Sequence, residues 1–444
     1  MHVRFWGTRG SIPRPGTTTL RYGGNTSCVE VRTNAGTLIV LDCGTGSYGL
    51  GQKLLTEPPV SGHMLITHTH WDHIQGFPFF VPLFIPGNEW SVYAPRGLGG
   101  KLEETLAGQM EYSYFPVTLE TLSATIHYQD LTEGELQVGD ARVVARFLNH
   151  PSPALGYRIE ADGCSVAYIT DHEPHSPHMD ESTGLPVHKE DQRHIEFLAD
   201  TDLIIHDSQY TATEYVDKVG WGHTAMESSV AFAVGAHAKR LALYHHDPLR
   251  SDDELDEIVS RLRQDLSEQG CDLDLSGAAE ETGIDLGEQP GGQRAARTHA
   301  ATVQGPTPPR PEKVVIVVAD DDPVLLRVTE TALEAEGFTP RTARNGAEAL
   351  NMAREVRPDL MLLDWDMPSM TGVEACEALR NDPDPEFSQT PVVLVTSFAK
   401  AEDLETAFAA GVTDYLTKPF FPPQIRARVN TWLQRKRAEN DSER

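Results

Sequence analysis

The chain has 444 residues, 39% of them hydrophobic, with 37 basic against 66 acidic side chains and a formal net charge of -29. That length exceeds one ordinary core and the apolar fraction suffices for two, while the charge excludes long polyanions, long nucleic acid included, as default partners; a small anion at a metal site stays open. Five scattered cysteines (Cys28, Cys43, Cys164, Cys271, Cys376), no charged-then-apolar leader and no run of membrane-spanning length lead to the expectation of a cytoplasmic protein with no membrane partner.

Residues 1–275 alternate short apolar runs with Gly, Pro and Asn turns, which predicts a layered α/β domain. Strands are expected at 29–32, 37–42, 63–67, 142–147, 165–170, 203–205 and 241–244. The His-rich, acidic stretch 172–194 reads as an irregular, solvated surface insertion. Residues 252–266 carry Leu255, Ile258, Val259 and Leu262 at helical spacing and close the domain. Over 276–312 periodicity is lost and a Pro-rich run appears at 306–311, the pattern of a flexible linker stiffened in part by proline. Residues 313–437 then repeat a βα rhythm, with strands at 314–319, 360–364, 392–396 and 415–416 and helices at 323–336, near 373–380 and near 402–410. That order predicts a doubly wound parallel sheet.

The strongest chemical signal is His68-Thr69-His70-Trp71-Asp72-His73, directly after the apolar run 63–67. Side chains two apart on an extended segment share a side, so His68 and His70 can grip one metal while the following turn carries Asp72 and His73 to a second. So dense a group of ligand types argues against a lone packing histidine. The pattern resembles the H-x-H-x-D-H signature of the metallo-β-lactamase superfamily, and Leu41-Asp42-Cys43-Gly44 resembles its strand-ending Asp-x-Gly element. The resemblance implies an αββα sandwich over 1–275, with His68, His70 and His150 on a first metal and Asp72, His73 and His245 on a second. Asp171 would bridge both and Asp42 would support the metal loop. His246 adjoins His245, which leaves that assignment open by one position. The imidazole-rich set favours two Zn²⁺, with manganese or iron as alternatives, and such a pair acidifies a water held between the ions.

Trp221-Gly222-His223-Thr224-Ala225 resembles the His-Ser-Thr element of the superfamily's phosphodiesterase branch, which includes tRNase Z and cyclic-nucleotide phosphodiesterases. This implies that Asp72, His223 and Asp207 carry the catalysis, with His223 protonating the leaving group and Asp207 holding its ring. Arg9, Arg14 and Arg21 could meet phosphate or be plain surface charges, and the aromatics of 108–117 could stack a base, although core packing is the simpler reading. His70, where the flavodiiron branch has Glu, argues against oxygen or nitric oxide reduction. The preferred substrate is a small nucleotide phosphodiester, cyclic nucleotides included; the alternatives are thioester or lactam hydrolysis, or a non-catalytic metal-domain sensor.

The C-terminal segment resembles the response-regulator receiver family over almost its whole length. Asp320 and Asp321 follow strand 314–319, Asp364 ends strand 360–364, Thr396 ends strand 392–396 and Lys418 precedes Pro419-Phe420. The resemblance implies Mg²⁺ on Asp320, Asp321 and Asp364, phosphorylation of Asp364, and Thr396, Tyr415 and Lys418 as the switch residues. It also implies a sensor histidine kinase or phosphotransfer protein as partner, and resemblance to both families leads to the expectation of a homodimer; the fusion of the two domains alone motivates the expectation that phosphorylation controls the hydrolase.

Overall fold

A computed structural model of the chain describes residues 1–56, 59–95, 101–175, 186, 188–287, 314–335, 337–396, 406–418 and, singly, 425, 429, 432 and 433. The chain divides into two units.

In the first unit the apolar runs become two seven-stranded sheets. One contains β1 (His2–Gly7), β2 (Cys28–Arg32), β3 (Leu38–Leu41), β4 (Ser61–Leu65), β5 (Glu89–Pro95) and β6 (Thr125–Leu131). The other contains β7 (Gly134–Val138), β8 (Ala141–Phe147), β9 (Leu155–Ala161), β10 (Cys164–Ile169), β11 (Leu203–Asp207), β12 (Arg240–Tyr244) and β13 (Asp274–Gly277). A short β14 (Gly283–Asp285) returns to the first sheet beside β1, so the orders are β14-β1-β2-β3-β4-β5-β6 and β13-β12-β11-β10-β9-β8-β7. Neighbours are parallel from β3 to β6 and from β10 to β13. In each sheet the carboxyl ends of these parallel strands therefore share one edge, where ligands tend to bind.

Side-chain alternation builds the layers. Along β3, Ile39 and Leu41 enter the core between the sheets, with Phe5, Val31, Val143, Tyr157 and Val166. Leu38 and Val40 face the other way, onto Leu50, Leu54, Leu102 and Leu106 of helices Ser47–Leu54 and Leu102–Gln109. A strand buried on both faces has to be apolar throughout, as Leu38-Ile39-Val40-Leu41 is. The outer face of the second sheet is covered by Phe197, Phe232, Leu255 and Leu262 from helices Lys189–Leu198, Met226–Gly235 and Asp252–Glu268. This is an αββα sandwich, and each fully buried aliphatic side chain contributes about 1.5–3 kcal/mol to it.

Two expectations are corrected. The linker expected over 276–312 does not begin at 276: Ser276 and Gly277 end β13, and β14 pairs antiparallel with β1, while residues 288–312 lie outside the described residues. Leu286 joins the inter-sheet core, and the Met1 ammonium donates to its carbonyl at 3.0 Å. A three-residue edge strand held by pairing with the far end of the chain leaves no periodic trace. The proline run at 306–311 lies outside the described residues. The stretch 172–194 is not a solvated loop throughout, because His172, Glu173, His175, Asp191 and His194 are buried. Residues 176–185 and 187 lie outside the described residues.

The second unit holds five parallel strands, β15 (Val315–Ala319), β16 (Thr339–Ala343), β17 (Leu360–Asp364), β18 (Val392–Thr396) and β19 (Asp414–Thr417), in the order β16-β15-β17-β18-β19. Val317, Met361 and Leu363 pack on Ala349, Leu350 and Leu379 on one face, while Ile316, Val318 and Leu362 pack on Leu326 and Leu333 on the other. The doubly wound arrangement is as expected. Pro340, which cannot donate to a ladder, sits in edge strand β16. Residues 402–405 of the helix expected near 402–410, and Pro419-Phe420, lie outside the described residues. Among the described residues no helix is long and apolar enough to cross a membrane.

Candidate metal centre and phospho-acceptor crevice

The ligand-type residues of the first unit sit at or just beyond the carboxyl ends of strands: His68 to His73 after β4, His150 after β8, Asp171 after β10, Asp207 at the end of β11 and His245 after β12. Asp42, Asp171 and His245 adopt left-handed backbone, with φ of 58°, 54° and 60°. For residues with a Cβ this costs about 1–3 kcal/mol each, so the surrounding packing holds them there.

His68, His70, His150 and Asp171 form one group of donors and Asp72, His73, Asp171 and His245 another, with ligand atoms within 4.8 Å of one another in each. All are buried except His70. Nδ1 of His150 donates to the Gly222 carbonyl (3.0 Å), so its Nε2 lone pair faces Nδ1 of His70 at 3.2 Å. Nε2 of His68 lies 3.6 Å from Oδ2 of Asp171. Asp42 accepts from Nδ1 of His73 (2.8 Å), the Thr67 amide (2.7 Å) and the Tyr168 hydroxyl (2.8 Å). That turns Nε2 of His73 toward Asp72 and Asp171, each at 3.2 Å. Nδ1 of His245 donates to Gln209 (3.2 Å), leaving Nε2 to face Asp72 at 3.2 Å and Asp171 at 3.1 Å. Asp171 thus presents Oδ1 to one group and Oδ2 to the other.

This donor set fits a pair of divalent cations. Nε2 of His68 and of His73 are buried and make no hydrogen bond among the described residues, which is costly unless something else satisfies them. Burial, reinforced by neighbouring histidines, holds His68 well below the usual imidazole range; burial likewise lowers His70 and His150, leaving neutral rings with lone pairs to offer. Burial would raise Asp72 and Asp171, but the surrounding histidines outweigh it and keep both carboxylates ionised. His73 is pushed up, because Asp72, Asp171 and Asp42 outweigh its burial. A cation entering there would displace that proton.

His223 stacks on His245 at 5.1 Å and contacts Asp207 through Nδ1 at 3.0 Å. Asp207 also accepts from the amides of His172 (3.2 Å) and Gln209 (3.1 Å). Burial opposes the charge on His223, but Asp207 and Asp171 lift its pKa to about 9. Asp207, His223 and His245 also lie close enough to share an ion, although the short Asp207 contact already occupies Nδ1 of His223. His246 turns away to the Ala278 carbonyl (2.9 Å), and burial drives it down to about 3; of the two neighbours it is His245 that faces Asp72 and Asp171.

Other expectations fare differently. Arg9 is buried and donates to the carbonyls of Gly23 (2.7 Å), Asp247 (3.0 Å) and Arg250 (2.7 Å), so it ties loops together and does not meet phosphate. Arg21 pairs with Asp253 and Asp256, and Arg14 is exposed. Of the aromatics in 108–117, Phe115 packs on the outer core, whereas Tyr112 and Tyr114 are exposed. Sequence reasoning missed Thr67, Tyr168, Gln209 and Glu173; only the position of Glu173, two residues past Asp171, could have drawn attention.

In the second unit Asp320, Asp321 and Asp364 bring carboxylate oxygens within 4.8 Å of one another at the carboxyl ends of β15 and β17. Nζ of Lys418 donates to Asp320 (2.8 Å) and Asp364 (2.7 Å). Burial and Asp320 raise Asp364 against the pull of Lys418, while Lys418 rises because its two carboxylates outweigh its own burial. Thr396 ends β18, its carbonyl accepting from the Lys418 amide (2.6 Å), and Tyr415 is buried with its ring 6.2 Å from that of Phe408.

Residues 37–246 match the beta-lactamase superfamily domain and residues 316–430 match the response regulator receiver domain. Among curated proteins the chain is similar to the DNA-binding response regulator MtrA of Mycolicibacterium smegmatis, 39% identical over 124 residues, which covers 28% of this chain and 52% of that protein. It is also similar to the phosphate regulon transcriptional regulatory protein PhoB of Rhizobium meliloti, 36% identical over 28% of this chain and 54% of that protein. The chain thus spans about half the length of the curated relatives it matches. Among solved structures it is similar to human tRNase Z, short form, at 19% identity over 64% of this chain and 99% of that one, with a TM-score of 0.42. The chain therefore joins a beta-lactamase superfamily domain to a response regulator receiver domain.

Proposed function

We propose that the N-terminal domain is a metal-dependent phosphodiesterase acting on a small nucleotide phosphodiester, cyclic nucleotides included, and that phosphorylation of Asp364 tunes its turnover. The observation that carries this reading is Asp171 offering opposite oxygens to two donor groups, beside a histidine–carboxylate pair, His223 and Asp207. His68, His70 and His150 would hold one cation, Asp72, His73 and His245 the other, and Asp171 both; zinc suits so many imidazoles best, with manganese or iron as alternatives. When bound, such a pair supplies positive charge to a phosphoryl group and acidifies water.

The chain's own residues do the remaining work. Asp42 and Gln209 fix the tautomers of His73 and His245, so that each presents Nε2 to the centre. His223, with Nδ1 donating to Asp207, would keep a proton on Nε2 and pass it to the departing oxygen as the phosphorus–oxygen bond breaks. A thiolate leaving from a thioester needs no such donor, whereas an alkoxide leaving from phosphorus does. In the receiver, Asp320, Asp321 and Asp364 would hold Mg²⁺, a carboxylate oxygen of Asp364 would attack the phosphorus of a phosphorylated histidine on a kinase or phosphotransfer protein as the phosphorus–nitrogen bond breaks and the imidazole leaves, and Thr396 and Lys418 would take the phosphoryl oxygens. Tyr415 would report the change.

The test is a substrate panel. Full-length protein loaded with zinc or manganese should hydrolyse cyclic nucleotides or bis(p-nitrophenyl) phosphate in preference to a thioester or a β-lactam, and lose that activity in His68→Ala. Hydrolysis of the thioester and lactam alone would replace this reading. Turnover identical with and without beryllofluoride, a phosphoryl mimic, would remove the regulatory claim.

A further inference from the structure

Glu173 belongs to neither donor group, yet it is a buried carboxylate, 2% exposed, well supplied with donors. Oε1 accepts from the Tyr215 hydroxyl (2.8 Å) and the Gly220 amide (2.6 Å), and Oε2 accepts from the Gly222 amide (2.8 Å). Its backbone is locked to the residue before His150: the Glu173 amide donates to the Asn149 carbonyl (2.8 Å), and the Asn149 side-chain amide donates to the Glu173 carbonyl (2.9 Å). Burying a carboxylate costs several kcal/mol unless hydrogen bonds compensate. Among the described residues these three donors come from residues 215–222, the segment that leads into His223.

That segment has no helix or strand of its own after Ala212–Tyr215, and Gly220 and Gly222 take φ of 87° and 85°. Left to itself, such a glycine-containing loop samples many conformations. Gly222 is instead clamped on both sides. Its amide is held by Glu173 and its carbonyl by Nδ1 of His150, and a Cβ there would lie 2.3 Å from that nitrogen. His223 therefore leaves a fixed point and arrives 3.0 Å from Asp207.

We infer that Glu173 is a positioning residue, whose carboxylate pins Gly220 and Gly222 so that His223 reaches the departing oxygen in line with Asp207. This rests on the reading of His223 as proton donor. A misplacement of about 1 Å can cost on the order of 100-fold in rate. Glu173→Gln keeps size and shape but turns an NH₂ group toward one of the donors it should accept from.

The test is a double-mutant cycle on the metal-loaded full chain, with methyl aryl phosphates whose phenol leaving groups span a range of pKa and with bound metal measured for every variant. His223→Ala should lose most rate on the poorest leaving groups, which need a proton most. Glu173→Gln should lose on the order of tenfold on those same substrates and little on p-nitrophenyl. Its metal content should stay at the wild-type level, and in the His223→Ala background it should cause no further loss. Equal losses in both backgrounds, or a loss flat across leaving groups, would overturn the positioning role while leaving His223 as donor. A flat response in His223→Ala itself would remove the donor and the role of Glu173 together. If Glu173→Gln folds poorly or holds less metal, Tyr215→Phe, which removes one donor and no charge, decides by the same comparison.

Discussion

The two carboxylate clusters of this chain are neutralised in opposite ways. In the receiver crevice Lys418 spans Asp320 and Asp364 with a charged ammonium, and exposed Asp321 opens the cluster to solvent. In the metal centre Asp72 and Asp171 are met by imidazoles, several of which burial holds neutral. A crevice balanced by its own lysine is already neutralised in part, so a cation entering it would compete with Lys418 for Asp320 and Asp364. A buried cradle of lone pairs facing carboxylates waits for permanent cations. On the proposed reading, the first site would serve switching and the second would hold its cations.

Substitutions should separate the two in order of severity. Asp171→Asn, which removes the oxygen facing one of the two groups, should abolish turnover and lower bound metal, both readable in one preparation by elemental analysis and assay. Retained metal and rate would show that the groups do not share this carboxylate. His223→Ala should cut kcat by about 10²–10⁴-fold on alkyl phosphodiesters with metal content intact. Asp42→Asn leaves every proposed ligand in place but replaces one of the two oxygens that hold Nδ1 of His73, the Tyr168 hydroxyl and the Thr67 amide with an NH₂ donor. Metal affinity should weaken by about 10–100-fold in a competition titration, with activity returning at excess metal. The smallest change belongs to the crevice: Lys418→Ala should tighten Mg²⁺ binding a few-fold, as expected from removing a competing charge at the surface, followed through the fluorescence of Trp365 beside Asp364. Weaker Mg²⁺ binding would mean that the lysine organises the carboxylates more than it competes for them.

The candidate site was legible in the sequence where the residues brought together are neighbours along the chain. His68 to His73 lie in one turn after one strand, and Asp320, Asp364, Thr396 and Lys418 sit at the carboxyl ends of β15, β17, β18 and β19, neighbours in a sheet of regular βα rhythm. His150, Asp171 and His245 carry no local signal, and only their order along a familiar pattern placed them. What could not be read was whatever depends on contacts between distant segments. Gln209 and Tyr168 matter because of the rings and carboxylates they meet, β14 exists because β1 offers an edge, and Arg9 is consumed by carbonyls more than 200 residues away. The stretch 172–194 misleads for the same reason: its composition is that of solvent-facing chain, but His172 and His194 stack against each other at 4.1 Å near Phe232.

The most direct test of the account is to count transition-metal ions bound to the purified full chain, before and after His68→Ala and His245→Ala, alongside hydrolysis of a phosphodiester. Two ions per chain in the wild type, with loss of metal and of turnover in each variant, is the predicted result. A natively folded wild type that takes up no transition metal, or that cleaves the phosphodiester equally well after chelation, would contradict it.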